Sequence, residues 1–426
     1  MTPAPADLPM PAPTAPVSAR GPEPSLSGVL AGRTVLQVVA DLTGASGAER
    51  EVVDVAAALV QAGARALVAG PHGPLVGELQ ARGAEWLPLP TESPQIGRTL
   101  ANVRRLRRLI RAERVGIVHA RARAPAWSAF LATRLIGVPL VTTHSGPYAG
   151  RSVLARLYNG IMAQGDSVLV SSRFGRDQVI RRHPRAAERI AIVPRGIDLA
   201  AFDPESVPLY HVDRQREDWD ATADERVILL PGRLVPWKGQ AVLIEAVKRL
   251  IARGGGPLRL VLAGEATAGS DYLKRLARRI ESDDLGEQVV VADVPRDMAV
   301  ALMAADIVVL PSTEPEAFAR GALEAMALGR PLIVADHGAQ SEPVRHHGPE
   351  RTGWLVPPGD VGALAEALDA ALALDEAARA ALARRARHLV ARHFSRQQEV
   401  MATVDAYARL VSGTVPTPAM VPAWRS

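Results

Sequence analysis

Two facing α/β domains, each a parallel sheet wound with helices on both faces, are what this 426-residue sequence predicts. Three observations carry that expectation. Short β-branched or leucine-rich runs alternate with longer helical segments, which is the rhythm of parallel sheets covered on both sides. The runs fall into two series of six, separated by a polar stretch without a sustained period of either kind. The length is also too great for one core of ordinary size and suits two.

The first series is Thr34–Asp41, Ala66–Gly70, Gly116–Ala120, Leu140–His144, Ser167–Ser171 and Ile190–Pro194; the second is Val227–Pro231, Leu258–Ala263, Val289–Ala292, Ile307–Pro311, Pro331–Ala335 and Gly353–Val356. They place one domain at 31–200 and another at 226–394. Residues 201–225 are polar and charged, carry Pro204 and Pro208, and are expected to form the hinge. Ser395 is positioned to cap a helix over 395–411, with Val400, Val404, Ala408 and Val411 along one side, packing back across the junction. Residues 1–30 and 412–426 are rich in Pro and Ala and read as disordered tails.

Composition narrows the class. Apolar residues make up 48 % of the chain, which excludes general disorder, and only 4 % is aromatic, so the cores must be aliphatic. Only Lys238, Lys248 and Lys274 are lysines among 50 basic side chains, so an arginine here carries less information than usual. A net charge of +5 gives no reason to invoke nucleic acid. Without cysteine there is neither a disulfide framework nor a thiolate nucleophile or metal site. No run approaches the roughly 20 apolar residues of a membrane span, and no apolar stretch follows early positive charge, so the expectation is a soluble, cytoplasmic protein.

Ligands of open parallel sheets bind beyond the carboxyl ends of the strands, so the informative residues lie just after the strand runs. Gly232-Arg233-Leu234-Val235-Pro236-Trp237-Lys238-Gly239 follows the first strand of the second series and joins a forked guanidinium to a compact ammonium around a glycine turn, a combination suited to a diphosphate. After Ile307–Pro311, a helix is expected from near Phe318 to Gly329, its unpaired N–H groups and positive end facing the cleft. Glu316 sits at the mouth of that helix and Glu324 inside it. Carboxylates accept well from paired hydroxyls, so Glu324 suits a ribose diol and Glu316 a sugar; acidic residues near a helix start are also ordinary complements to its dipole.

On the other side, Gly44 and Gly47 shape a turn leading into a helix that runs to about Ala62. A dinucleotide-binding loop would need G-x-G-x-x-G and an acidic residue after the next strand, and neither is present. His119 and His144 end strands that face the cleft, although a lone histidine is more often structural. Arg121, Arg123 and Arg173 are candidates to hold a phosphate on an acceptor. A helix from Thr99 to Arg114 should turn Leu100, Val103, Leu106 and Ile110 inward and crowd Arg104, Arg105, Arg107, Arg108 and Arg111 outward, a face able to sit on anionic lipid or simply in solvent. Asp218-Trp219-Asp220 spells a metal-binding D-x-D but lies in the hinge, and the adjacent His346 and His347 point apart in most backbones, so no metal is required.

The run from Ser312 to Pro331 resembles the E-x7-E signature of the retaining GT-B glycosyltransferases of glycosyltransferase family 4. The resemblance extends from about Val35 to Leu410. It includes Gly232-Arg233 with Lys238-Gly239, the junction Val193-Pro194-Arg195-Gly196-Ile197-Asp198, and Thr352-Gly353-Trp354-Leu355-Val356-Pro357-Pro358-Gly359-Asp360. It implies that Arg233 and Lys238 hold the donor diphosphate, Glu324 the ribose and Glu316 the donor sugar, with Phe318 and Ala319 lining the same site. Thr143-His144-Ser145-Gly146 resembles the loop whose histidine touches the donor sugar, and Ser46-Gly47 stands where the family has paired glycines. The usual Pro-Phe-Gly after the first Glu is Ala317-Phe318-Ala319 here.

The function so implied is transfer of a sugar from a nucleotide-diphosphate donor to a hydroxyl of a glycan or glycolipid acceptor with retained configuration, in envelope glycan or lipopolysaccharide core synthesis at the inner face of the membrane. No cofactor is implied, the nucleotide-sugar being a substrate. Two rivals remain: a sugar-nucleotide epimerase on the same fold, and a catalytically silent sugar-nucleotide-binding scaffold, which Ala317 and Ala319 keep open.

Overall fold

A computed structural model of the chain describes residues 26–44, 47–91, 95–144, 152–266, 270–318 and 320–413. Most of both expected tails, and Ala45, Ser46, Ser145, Gly146 and Ala319, lie outside the described residues. Leu26–Leu30, which composition assigns to the first tail, instead forms a 3-10 turn whose Leu30 is wholly buried against the C-terminal helix.

Seven strands form the first sheet: β1 (Thr34–Val38), β2 (Arg65–Gly70), β3 (Glu85–Pro88), β4 (Val115–Ala120), β5 (Leu140–His144), β6 (Ser167–Val170) and β7 (Ile190–Ile192). Six form the second: β8 (Arg226–Pro231), β9 (Leu258–Ala263), β10 (Val289–Ala292), β11 (Ile307–Leu310), β12 (Leu332–Ala335) and β13 (Trp354–Val356). The first domain carries helices α1 (Gly47–Gln61), α2 (Leu75–Ala81), α3 (Ile96–Ala112), α4 (Arg123–Arg134), α5 (Val153–Gly160) and α6 (Arg173–Arg182). Then follow α7 (Leu209–Asp218), α8 (Gln240–Ala252), α9 (Asp271–Ser282), α10 (Met298–Ala304), α11 (Arg320–Ala327), α12 (Val361–Leu372), α13 (Glu376–His393) and α14 (Arg396–Ser412). No helix among the described residues is long and apolar enough to cross a membrane.

Each sheet is two-sided because alternate residues of a strand point to opposite faces. Val35, Val68, Ile117, Val141 and Leu169 pack with α1 and α14 on one face, while Leu36, Leu67, Val118 and Leu140 pack with α3 and α4 on the other. In the second sheet Leu229, Val261, Val308 and Val334 meet α10, α11 and α13, and Ile228, Leu260, Val309 and Ile333 meet α8 and α12. The edge strand β3 is the one absent from the sequence-based series. Glu85 and Pro88 are exposed and Trp86 and Leu87 half-buried, so it has no apolar alternation to announce it.

The strand orders are β3-β2-β1-β4-β5-β6-β7 and β10-β9-β8-β11-β12-β13, with neighbouring strands paired in parallel, and the order reverses direction between β1 and β4 and between β8 and β11. Those reversals leave crevices beyond the strand ends, where ligands of such sheets bind. The turn at Gly44 follows β1, Gly232–Gly239 follows β8, and Ser312–Phe318 follows β11. Topology alone thus directs the suspected loops to the two switch points.

Segment 201–225 is not a structureless hinge. It holds α7, which packs on α10, and it buries Val207 and Trp219 in the core of the second domain. Arg216 fixes it further by donating to the carbonyls of Ala304, Thr222 and Glu225. The anchoring rests on a few apolar positions and one arginine within a charged stretch, so no hydrophobic period betrays it. The D-x-D at 218–220 is part of this anchor. The chain crosses between domains instead at two extended segments paired in parallel: the Ile197 N–H donates to the Phe394 carbonyl and Arg396 N–H to the Ile197 carbonyl, both at 2.9 Å. Gly196 permits the approach, since a Cβ there would lie 2.3 Å from the Ser395 carbonyl oxygen.

Helix α3 turns Val103, Leu106 and Ile110 inward, but Leu100 is 55 % exposed and Arg107 is half-buried. Asn102 takes the inward place near the start of the helix by donating to the Pro90 carbonyl at 2.6 Å. Leu100 consequently shares the outer face with Arg104, Arg108 and Arg111, at helical spacings of four, eight and eleven.

Candidate active site between the two sheets

The loops after β8, β11 and β12 are built against one another. Gly239, at φ 82°, caps the first loop where any Cβ would meet the Pro311 carbonyl oxygen at 2.1 Å. The Thr313 N–H donates to the Trp237 carbonyl at 2.7 Å, and Ala339 N–H to the Glu316 carbonyl at 2.8 Å. His337 Nε2 lies 2.7 Å from the Ser312 carbonyl oxygen. The consequence is a fixed place for Glu316. Its Oε2 accepts from Lys238 Nζ at 2.7 Å and its Oε1 from Ser312 Oγ. Both Lys238 and Glu316 side chains are mostly buried, at 16 % and 14 % exposed, so little water screens the pair.

Arg233 projects into solvent from the same turn. Its guanidinium and the Lys238 ammonium lie 5.4 Å and 4.9 Å from the ring centre of Trp237, which holds two like charges on one aromatic platform. Phe318 packs on the domain core just before α11. In α11 the Arg320 Nε donates to Glu324 Oε1 at 2.8 Å, and a Cβ placed on Gly47 would lie 3.4 Å from Arg320 Nη1, so Arg320 reaches the loop of the opposite sheet. Burial raises the Glu324 carboxyl above its ordinary pKa, with Arg320 opposing the shift.

Across the cleft, Gly44 sits at φ 80°, and its N–H and the Thr43 hydroxyl both donate to Glu49 Oε2 at 2.7 Å. That carboxylate, two residues into α1, ties the turn to the helix start. His144 ends β5. Burial, then the charge of Arg123, lowers its pKa to about 4, with His183 and Arg182 adding to the shift. Its imidazole is therefore neutral near pH 7 in a strongly cationic neighbourhood. Arg123, exposed at the start of α4, stands at that neighbourhood's edge.

Two acceptor candidates are withdrawn by the structure. His119 is fully buried, its Nδ1 against the Tyr407 hydroxyl and its Nε2 2.7 Å from Thr143 Oγ1, and burial holds its pKa well below the usual value. Arg121 turns inward to pair with Glu51 and donates to Gln37 Oε1 at 3.1 Å, leaving 6 % of its side chain exposed. Arg195 approaches the other oxygen of Glu51 at 3.3 Å, and the Gly196 N–H donates to Glu399 Oε2 at 2.9 Å. These groups form a buried polar seam beneath α14 rather than a cleft wall. Arg173 opens α6, where its backbone N–H donates across the cleft to Glu342.

Sequence reasoning overlooked Trp237, Arg320, Glu342 and the seam of Glu51, Arg195 and Glu399. Arg320 had a readable signal, a cation four residues before Glu324. Glu342 had none, because its partner lies 168 residues away.

Two parallel sheets, each with its switch-point loops beyond the strand ends, make the architecture of the GT-B class. A family model described as "Glycosyl transferases group 1" matches residues 211–389, and "Glycosyltransferase Family 4" matches residues 45–201. The chain belongs to this glycosyltransferase family. It is 32 % identical over 261 residues to the D-inositol 3-phosphate glycosyltransferases of Mycobacterium tuberculosis and Mycobacterium bovis, a match covering 59 % of this chain and 50 % of theirs. The chain thus spans about half the length of the curated relatives it matches. Among solved structures, a glycosyltransferase from Rickettsia africae superposes with a TM-score of 0.76 at 27 % identity, over 90 % of this chain and 99 % of that one. HepE of Anabaena, crystallised with UDP, shares the fold with a TM-score of 0.71 at 22 % identity, over 89 % and 100 % of the two chains.

Proposed function

We propose that this chain transfers a sugar from a nucleotide-diphosphate donor to a hydroxyl of a phosphate-bearing acceptor, with retention of configuration and without a metal. The observation that carries the donor half is the Lys238–Glu316 pair at the mouth of α11. In that reading Lys238 turns from Glu316 to the entering diphosphate, Arg233 closes on it from the Trp237 platform, and Glu316 is released to accept from sugar hydroxyls. Glu324 receives the ribose diol. The bond from the anomeric carbon to the diphosphate oxygen breaks as a bond to the acceptor oxygen forms on the same face, and the acceptor proton passes to the departing diphosphate. Charge stabilisation of that leaving group is the main catalytic contribution, and it falls to the two cations and the first N–H groups of α11.

The neighbourhood of His144 supports an anionic acceptor. Burial first, and then Arg123 and Arg182, disfavour a proton on that imidazole, so a phosphate entering there meets two fixed cations. The mycobacterial relatives, named for inositol 3-phosphate, make that the first acceptor to test, and HepE makes a uridine nucleotide the first donor. Envelope glycan synthesis at the inner face of a membrane is the cellular setting we propose, with the face of Leu100, Arg104, Arg108 and Arg111 resting on anionic lipid.

A thermal-shift panel of UDP, GDP and ADP with their sugar conjugates tests the donor half. Ligand at 100 times its dissociation constant adds about 2.7 kcal/mol of stability. A selective shift, weakened in Glu324→Ala, is expected; no shift with any nucleotide overturns the reading. Product analysis with and without acceptor separates transfer from epimerisation, and a donor that binds but is never turned over with any acceptor points to the silent scaffold.

A further inference from the structure

The first turn of α6 is completed from the other domain. An α-helix begins with N–H groups that have no partner within it. In α6 the Gly175 N–H is taken by the capping Ser172 Oγ at 2.9 Å. The two preceding donors cross the cleft: Arg173 N–H reaches Glu342 Oε2 at 3.0 Å, and Phe174 N–H reaches Glu342 Oε1 at 2.7 Å. One carboxylate of the second domain thus spans two N–H groups at the positive end of a helix of the first, the charge-assisted geometry that binds most firmly there. Ser172, itself buried, also donates to the Ala317 carbonyl at 3.4 Å, directly beside Glu316.

The segment carrying Glu342 is not independent of the donor site. Its Ala339 N–H holds the Glu316 carbonyl, and Gly338, at φ 66°, lies so close that a Cβ would stand 2.7 Å from both the nitrogen and the oxygen of Glu316. The start of α6 therefore touches both the loop that presents Glu316 and the segment behind it. Separating the domains would break both of these charge-assisted hydrogen bonds at once.

We infer that Glu342 is a positioning residue: its carboxylate latches the start of α6 and holds the two domains closed around the donor loop while transfer occurs. It need touch neither donor nor acceptor. This inference rests on the proposed transfer reaction for its kinetic consequence, but its structural content can be measured without any turnover.

The chain has no cysteine, so a pair of spin labels can be introduced at Glu188→Cys in the first domain and Lys274→Cys in the second without background. Distances between them are read with and without Glu342→Ala and Glu342→Gln. Glu342→Ala is expected to shift the closed-to-open ratio about tenfold toward open, Glu342→Gln by less because one oxygen acceptor remains, and neither should change UDP affinity more than about twofold. A merely structural role would lower the melting temperature and leave the distances of the folded protein alone. Where transfer is measurable, kcat should fall about tenfold in Glu342→Ala with donor KM nearly constant. An unchanged distance distribution in a folded Glu342→Ala protein overturns the latch. Failure to find any acceptor bears on the proposed reaction and leaves the distance result standing.

Discussion

The two walls of the cleft carry the same kinds of residue after their strands and put them to different uses. On the wall formed by the second domain, Arg233, Lys238 and Glu316 stay at the cleft, held by backbone contacts among three loops. On the wall of the first domain, His119 and Arg121 stand in the equivalent place at the end of β4 but turn inward, toward Tyr407, Gln37 and Glu51. The cause is α14. It covers the first sheet and brings Glu399 and Tyr407 down behind the strand ends, so polar groups near it must be satisfied internally. Arg121 is thus held behind the strand ends, whereas Arg233 stays exposed after its strand.

The largest effect expected from this contrast is on stability. Arg121→Ala leaves Glu51 buried with only Arg195 in reach, and breaking such a pair costs about 3 to 5 kcal/mol. For a domain of this size that is a fall of roughly 10 °C in melting temperature. The double variant Arg121→Met with Glu51→Leu should recover much of the loss. If Arg121→Ala melts like the wild type and instead weakens acceptor binding, the distinction between the walls is broken.

Arg233→Ala should do the reverse. Losing one cation from the departing diphosphate costs about 3 kcal/mol, a hundredfold in rate, with the melting temperature nearly unmoved. Glu324→Ala comes next, at about tenfold in donor affinity, if a ribose diol is its partner. A tenfold loss of melting stability with intact donor binding would place Glu324 with the buried seam instead.

These outcomes bear on how much could be read beforehand. Twelve strand runs were legible because parallel strands buried on both faces are continuous aliphatic runs, and β3 was not because it lies at an edge. The meeting of Lys238 with Glu316 was legible because each sits in a short segment directly after a strand. His119 and Arg121 were misassigned because their partners arrive from α1 and from α14, the latter nearly 300 residues away (288 between His119 and Tyr407). Segment 201–225 reads as a hinge in the sequence because Trp219 and Arg216 anchor it from isolated positions that have no period. For His119 and Arg121 what failed to show was the identity of a distant partner, whereas for β3 and α7 no apolar period announced the local conformation.

A smaller effect tests the seam itself. Burial, and then the negative charge of Glu51, pushes the Glu399 carboxyl up from 4.5 to about 8, while the Glu51 carboxyl shifts downward because Arg121 and Arg195 outweigh its burial. A proton held by folded Glu399 but not by the unfolded chain gives stability that is full below about pH 4.5 and is lost as pH rises through about 8. Glu399→Gln should flatten the decline in melting temperature across that window. A decline that persists unchanged in the variant assigns it to another group.

The smallest expected effect concerns His144, the strand-end histidine that the seam does not claim. Burial first, and Arg123 second, lower its pKa to about 4 from 6.5, so the unfolded chain takes up a proton below 6.5 that the folded chain refuses. Stability attributable to this ring is therefore present above pH 6.5 and lost as pH falls toward 4. In turnover the same neutrality predicts no limb from this group between about pH 5.5 and 8. A limb near 6.5 that vanishes in His144→Gln would mean the imidazole titrates freely, and the cationic neighbourhood proposed to receive an acceptor phosphate would lose its main support. A flat profile, with phosphate or a phosphorylated acceptor raising the pKa of His144 in an NMR titration, would instead show an anion entering where burial and neighbouring cations now keep the ring unprotonated.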